Sequence, residues 1–337
     1  MPLDPIRLCR DLIDLPSVTG DERAVSEFLE TLLQGLGFAT ERQTVSTDRF
    51  NLFASAGGVP RVVFCTHTDT VPPFFRSSED DEFVYGRGAC DTKGIIAAML
   101  ATGESLRTSG LRDFGYLFVV GEETDSIGAR EANRHFCDRN IELVVVGEPT
   151  QSRFVRASKG ALTATVRFRG VAAHSAYPEL GDSAVLKMVA AIVEISATGW
   201  GMDPILGEAT ANVGVIRGGE KPNIIPGQAE LQMIFRTVGP PEIVSARLAE
   251  IVERHGGEIV ASHGNPPTWM MVPPDTEAVV VAFNTDAPHL SALGKVMLFG
   301  PGSILDAHGA AERIAKSEIF AAIETYRSLA TSWFSER

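Results

Sequence analysis

The sequence runs to 337 residues, 44% of them hydrophobic and 22% charged, which argues against a disordered, collagenous or coiled-coil chain and leaves room for two domains. The 30 Lys and Arg are outnumbered by 43 Asp and Glu, a net charge of −13 that disfavours nucleic-acid binding by counterion release. The start, MPLDPIRLCRDLIDL, mixes acids into its apolar residues, and no apolar stretch approaches the ~18 residues of a membrane span. A cytoplasmic protein with no signal peptide and no membrane partner is therefore expected. Its cysteines (Cys9, Cys65, Cys90, Cys137) form no CxxC pair and read as reduced thiols.

In chain order, Leu8, Leu12, Leu15 and then Val25, Phe28, Leu29, Leu32 and Leu33 carry helical spacing interrupted by Pro16 and Gly20, which predicts two helices between Asp4 and Gly37. Three short runs follow: RVVFC at 61–65, GYLFVV at 115–120 and ELVVVG at 142–147. Each is apolar on both sides, as in parallel strands covered by helices on both faces. Gly94 to Leu106 supplies a crossover helix between the first two, so the first ~150 residues read as α/β.

After Gly160 the pattern changes. Leu162, Ala164, Val166 and Phe168 alternate with Thr163, Thr165, Arg167 and Arg169, as in an antiparallel strand with one wet face. A helix over Ser183 to Ala197, strands over Ala211 to Gly218 and Gln228 to Arg236, a helix over Glu242 to His255 and a strand over Glu258 to Ser262 complete a β-α-β-β-α-β order, the split βαβ motif. The stretch 265–274 reads as a linker back to α/β character. The expected organisation is a catalytic α/β domain of residues 1–157 plus 266–337, with residues 158–265 inserted as a lid or dimerisation domain.

The chemistry gathers at the strand ends. His67 and Asp69 follow the first buried strand, Asp91 opens the crossover helix, Glu122 and Glu123 follow the second strand, and Glu148 follows the third. Open α/β sheets place ligands at the carboxyl ends of their strands. His308 in FGPGSILDAHGAAERI comes from the returning segment. Two zinc ions ~3.5–4 Å apart need one shared carboxylate and two further protein ligands each. His67, Asp91, Glu123, Glu148 and His308 supply that set and leave Glu122 free as a general base, while Asp69 is placed to orient His67. GRGACD also looks like the start of a dinucleotide fingerprint, but it does not follow a strand directly and an aspartate stands where its third glycine belongs.

THTDTVP, GRGACDTKG, GEET, GEPT, KPNIIP and the late GPGS with its following histidine together resemble the M20 metallohydrolases, most of all acetylornithine deacetylase and succinyl-diaminopimelate desuccinylase. The resemblance implies two Zn2+, with Co2+ able to substitute. His67 would bind one ion and His308 the other, with Asp91 bridging and Glu123 and Glu148 completing the shells. It implies Asp69 as the residue that orients His67, Glu122 as the base, and a cis peptide bond after Asp91. It also implies a homodimer in which His174 reaches the partner's site to polarise the scissile carbonyl. The segment from Val71 to Gly86 is shorter than in typical members.

For the substrate, Arg236 offers a cationic fork to an α-carboxylate, with Asn223 beside it in the family pattern. Gly302, Ser303 and Lys159 are further binding candidates. The expected reaction is hydrolysis of the amide bond of a small anionic N-acyl, above all N-acetyl, amino acid, releasing a carboxylate and a free amino acid in amino-acid biosynthesis. The alternatives are a di- or tripeptide exopeptidase or carboxypeptidase of the same family, and a non-catalytic binding protein that keeps the fold.

Overall fold

A computed structural model describes residues 3–335, which separate into two compact units: residues 3–156, 270–279 and 285–335 in the first, residues 157–269 and 280–284 in the second. The first begins with helix Pro5–Ile13, where the Asp4 carboxylate accepts from the amides of Ile6 and Arg7 and Pro5 fills the first turn. Helix Arg23–Gly35 follows.

The sheet of this unit runs Ala39–Ser46, Arg49–Ser55, Phe114–Val119, Val62–His67, Leu143–Val146, Lys295–Leu298. The last four of these are mutually parallel. The first two form an antiparallel hairpin added at one edge, so the sheet is mixed where the sequence suggested parallel strands alone. Ala39–Ser46 carries no strand signal because it is a half-exposed edge strand whose side chains (ATERQTVS) form no apolar run.

Three of the parallel strands, Phe114–Val119, Val62–His67 and Leu143–Val146, are buried throughout. The crossover helix Gly94–Thr108 lies against them with Ile95, Ile96, Ala98, Met99 and Leu100 buried, and helix Lys316–Ser335 packs on it. Gly103 is where this helix approaches the sheet: a Cβ there would come within 1.6 Å of the Tyr116 hydroxyl. All four parallel strands point their carboxyl ends to the same side, which gathers the loops after His67, Val119, Val146 and Leu298 at one rim.

The second unit is a four-stranded antiparallel sheet in the order Thr210–Gly218, Gln228–Thr237, Gly160–Arg169, Gly257–Asn265. The alternation seen in the sequence is realised: Leu162, Ala164, Val166 and Phe168 are buried together with Met188, Ala191 and Ile195 of helix Ala184–Ala197 and Val244, Leu248 and Ile251 of helix Pro241–Arg254. The Ser183 hydroxyl caps the first of these helices by accepting from the Leu186 amide. Thr210–Gly218 is an edge strand with Ile216 exposed, and helix Ala184–Ala197 turns Leu186, Val189 and Val193 to the outside. Among the described residues no helix is long and apolar enough to cross a membrane.

Candidate metal centre

Strand Val62–His67 delivers His67 into a buried position, and the chain continues through Thr68 to Asp69, both buried as well. The His67 Nδ1 lies 3.0 Å from the Asp69 carbonyl oxygen and 3.5 Å from its Oδ1, which leaves Nε2 aimed the other way, 3.0 Å from Asp91 Oδ1. The Asp69 carboxylate has a second task. Oδ1 accepts from the amides of Gly121 (3.0 Å) and Glu122 (3.1 Å), and Oδ2 accepts from the Glu123 amide (3.2 Å) and the Thr19 hydroxyl (2.8 Å). It therefore shapes the loop that carries both neighbouring glutamates.

Asp91 stands at an irregular turn before the crossover helix, and the peptide bond to Thr92 is cis. The two oxygens of its carboxylate divide: Oδ1 faces His67, while Oδ2 lies 3.4 Å from His308 Nε2. That same Nε2 is 3.1 Å from Glu123 Oε1. Two donor groups result, His67 with Asp91 and Glu148, and Asp91 with Glu123 and His308, each with its ligand atoms within 4.8 Å of one another. They share one carboxylate, and oxygen and imidazole nitrogen donors of this kind suit zinc and similar divalent ions.

The electrostatics point the same way. Burial, reinforced by Glu148, pushes the Glu122 carboxyl well above the usual range, and burial does the same to Glu148. Glu123 is raised by burial as well. Asp91 is held down despite its burial by hydrogen bonds from His308 and His67. For His67, burial acts downward but the bonds to Asp69 and Asp91 overcome it, and His308 is drawn up to about 10 by Asp91 and Glu123. Crowded, poorly hydrated carboxylates of this sort call for positive charge, and a bound cation supplies it. The donor set thus fits a pair of metal ions.

Two buried groups at this centre carry no sequence signal that spacing rules detect. Asp286 is 1% exposed, its carboxylate oxygens make no hydrogen bond of good geometry with a described residue, and its carboxyl is pushed up to about 7 by burial against the opposing pull of His67. Lys93 is buried, with Nζ donating to the Ser17 hydroxyl at 2.8 Å and to the Thr68 carbonyl; burial brings it down to about 8. Cys65 and Cys90 are buried free thiols whose pKa values burial raises, the opposite of what a thiolate ligand needs.

The Gly302 carbonyl accepts from the Gln151 amide, while the Ser303 hydroxyl accepts from the Leu305 amide and from Gln151 Nε2.

The remaining candidates belong to the second unit, in two separate places. His174, in a short strand Ala173–His174, pairs with Ile224 beside Asn223, whose carbonyl accepts from the Ser175 amide. The His174 ring accepts from the Ala176 amide through Nδ1. Arg236 pairs in register with Ala161, and Lys159 directly precedes that strand and donates through Nζ to the Glu208 carbonyl. His174 and Asn223 lie past the Arg169 end of strand Gly160–Arg169, and Arg236 and Lys159 lie at its start. At ~3.3 Å per residue, Ala161 and Arg169 at the two ends of this strand are roughly 26 Å apart.

Comparison with known proteins adds the family. A peptidase M20 domain-containing protein of Schizosaccharomyces pombe is 33% identical over 335 residues, which span 96% of this chain and 83% of the relative. The chain belongs to the M20 peptidase family. A probable carboxypeptidase of Aspergillus clavatus is likewise 33% identical, over 95% of this chain and 86% of its own length. The family's peptidase dimerisation domain matches residues 156–260, which coincides with most of the second unit. In three dimensions a tripeptidase from Staphylococcus aureus superposes with a TM-score of 0.79 at 19% identity, over 96% of both chains, a likeness of fold. As an M20 member the protein is a hydrolase of the metallopeptidase type. The special nearness to acetylornithine deacetylase expected from the motifs does not emerge, since the relatives above bear peptidase and carboxypeptidase names.

Proposed function

We propose that this M20 protein is a metal-dependent exopeptidase that releases the carboxyl-terminal amino acid from short peptides. The observation that carries the reading is Asp91, which offers one oxygen to the imidazole of each donor group. His67, Asp91 and Glu148 would hold one ion, and Asp91, Glu123 and His308 the other, zinc being the proposed metal and cobalt a substitute. Ions held there supply Lewis acidity toward a substrate carbonyl and lower the pKa of a water.

The chain's own residues do the rest. Glu122, one position from a ligand on a loop fixed by Asp69, takes the proton of the attacking water and hands it to the leaving amine; a carboxyl raised by burial suits both steps. Arg236 is proposed to hold the substrate's terminal carboxylate through its planar fork. His174 and Asn223 belong to a separate short pairing that follows the Arg169 end of strand Gly160–Arg169, whereas Arg236 pairs at its Ala161 end, roughly 26 Å away along that strand. That spacing supports a homodimer in which His174 comes from the partner and stabilises the developing oxyanion.

A substrate panel tests the reading with zinc or cobalt added to the purified protein. N-blocked and free di- and tripeptides should be cleaved with at least ~10-fold higher kcat/KM than N-acetyl and N-succinyl amino acids, a difference of ~1.4 kcal/mol in transition-state binding. Amidating the terminal carboxylate should abolish turnover. Preference for the N-acyl amino acids would restore deacylation, and no hydrolysis of either class would favour a binding protein.

A further inference from the structure

Arg87 and Glu312 take no part in the roles above, yet both lie against the metal centre with their side chains 2% and 1% exposed. Arg87 Nη1 donates to Glu312 Oε2 at 2.6 Å. Burying an ion pair costs several kcal/mol per ion and is tolerated when the remaining donors and lone pairs are also satisfied. Here the partners that satisfy them are the segments carrying metal ligands. Glu312 Oε1 accepts from the Asp91 amide at 3.3 Å and from the Cys90 thiol at 3.7 Å. Arg87 Nη2 donates to the His308 carbonyl at 3.5 Å and Nε to the Pro73 carbonyl at 3.2 Å, with the guanidinium 4.9 Å from the Phe75 ring centre. The Gly86 amide donates to the Glu312 carbonyl at 3.1 Å. His308 itself sits at φ 61°, a left-handed conformation that a residue with a side chain keeps only where its surroundings hold it.

We infer that Arg87 and Glu312 form a positioning pair that sets the backbone of the shared ligand Asp91 against that of His308, and so fixes the affinity of the Asp91–Glu123–His308 group for its ion. The inference rests on the reading of the two donor groups as metal sites. Partners behind metal ligands are worth ~10–100-fold in affinity when lost. The loss should fall on one ion, because the pair grips both His308 and Asp91 on that side but does not touch His67 or Glu148.

The test is Co2+ titration of the metal-free protein, read by chelator competition and by the visible ligand-field spectrum, with the metal-free Tm recorded alongside. Wild type should bind two ions. Glu312→Gln should weaken one of them by ~10–100-fold and alter its spectrum, and Arg87→Lys, which keeps the charge but loses the fork, should weaken the same ion. In a His308→Ala background Glu312→Gln should add less than about threefold, since the ligand it positions is gone. Both dissociation constants within about twofold of wild type in the folded variants, whatever the Tm, would overturn the pairing role. Should Glu312→Gln fail to fold, Arg87→Lys decides alone. A wild type that binds no Co2+ would refute the metal reading and this inference together, and is told apart by appearing before any substitution.

Discussion

Glu122 and its neighbour Glu123 differ in task by one position, and a charge-neutral substitution separates them. Glu122→Gln should keep two metal ions by elemental analysis and lose ~10²–10⁴ in kcat. Loss of an ion, or unimpaired turnover, would reverse the assignment. Cys9 gives a prediction on pH. Burial pushes this thiol up to about 12 from an ordinary 9.0, so the folded protein holds its proton more tightly than the unfolded chain does. The contribution is therefore complete below pH 9 and is lost as pH rises toward 12, at up to about 1.4 kcal/mol per unit. Denaturation midpoints at pH 8.5 and 10.5 should fall less steeply in Cys9→Ala than in wild type, and equal slopes would contradict the shift. The members of the two donor groups could be read in the sequence because each sits at the end of an apolar run or in a short motif. Asp286, Arg87 and Glu312 could not be read so, because they matter by what the fold brings against them: Arg87 and Glu312 are separated by the whole second unit in the chain and meet only in the folded protein.

At the level of elements, buried runs and clean alternation proved legible, and the split βαβ order of the second unit follows from them. Strand Ala39–Ser46 was not, since an edge strand satisfied by one neighbour needs no apolar pattern. The crossover helix shows a different limit. Alanine is about 1 kcal/mol better than glycine inside a helix, yet at Gly103 the added methyl group meets the Tyr116 hydroxyl at 1.6 Å and Phe114 at 2.9 Å. Gly103→Ala should consequently destabilise the protein by ~1–3 kcal/mol in chemical denaturation. Adding Tyr116→Phe should recover part of that loss, because the nearest obstructing atom is removed. A Gly103→Ala variant as stable as wild type would show that the tyrosine can move aside.

For the molecule as a whole, the exposed apolar side chains of the second unit set the expected assembly. Leu186 and Val193 are 69% and 65% exposed on one helix, and the edge strand beside it presents Ile216 at 56%. An open sheet edge flanked by apolar side chains is suited to pairing by two-fold symmetry. Light scattering should find dimers, and Leu186→Glu with Val193→Glu should give folded monomers; dimers that survive both charges would place the contact elsewhere. Mixing inactive His174→Ala with inactive Glu122→Gln subunits should restore about a quarter of wild-type activity, because half the dimers are mixed and each then carries one complete site. No recovery after proven exchange would exclude donation of His174 across the dimer.

The residues of the two donor groups are also ordered in time. His67, Asp91, Glu123 and Glu148 all leave the ribosome before the second unit is made, and His308 follows it, with residues 149–307 in between. A nascent chain that has reached residue 300 carries the complete His67–Asp91–Glu148 group and only part of the other. Capture of the two ions would then be sequential by construction, the first during synthesis and the second after the chain returns. The second ion would act as a clasp between early and late segments, so that its removal from the finished protein should loosen the returning segment first, seen as faster amide hydrogen exchange around residues 300–315.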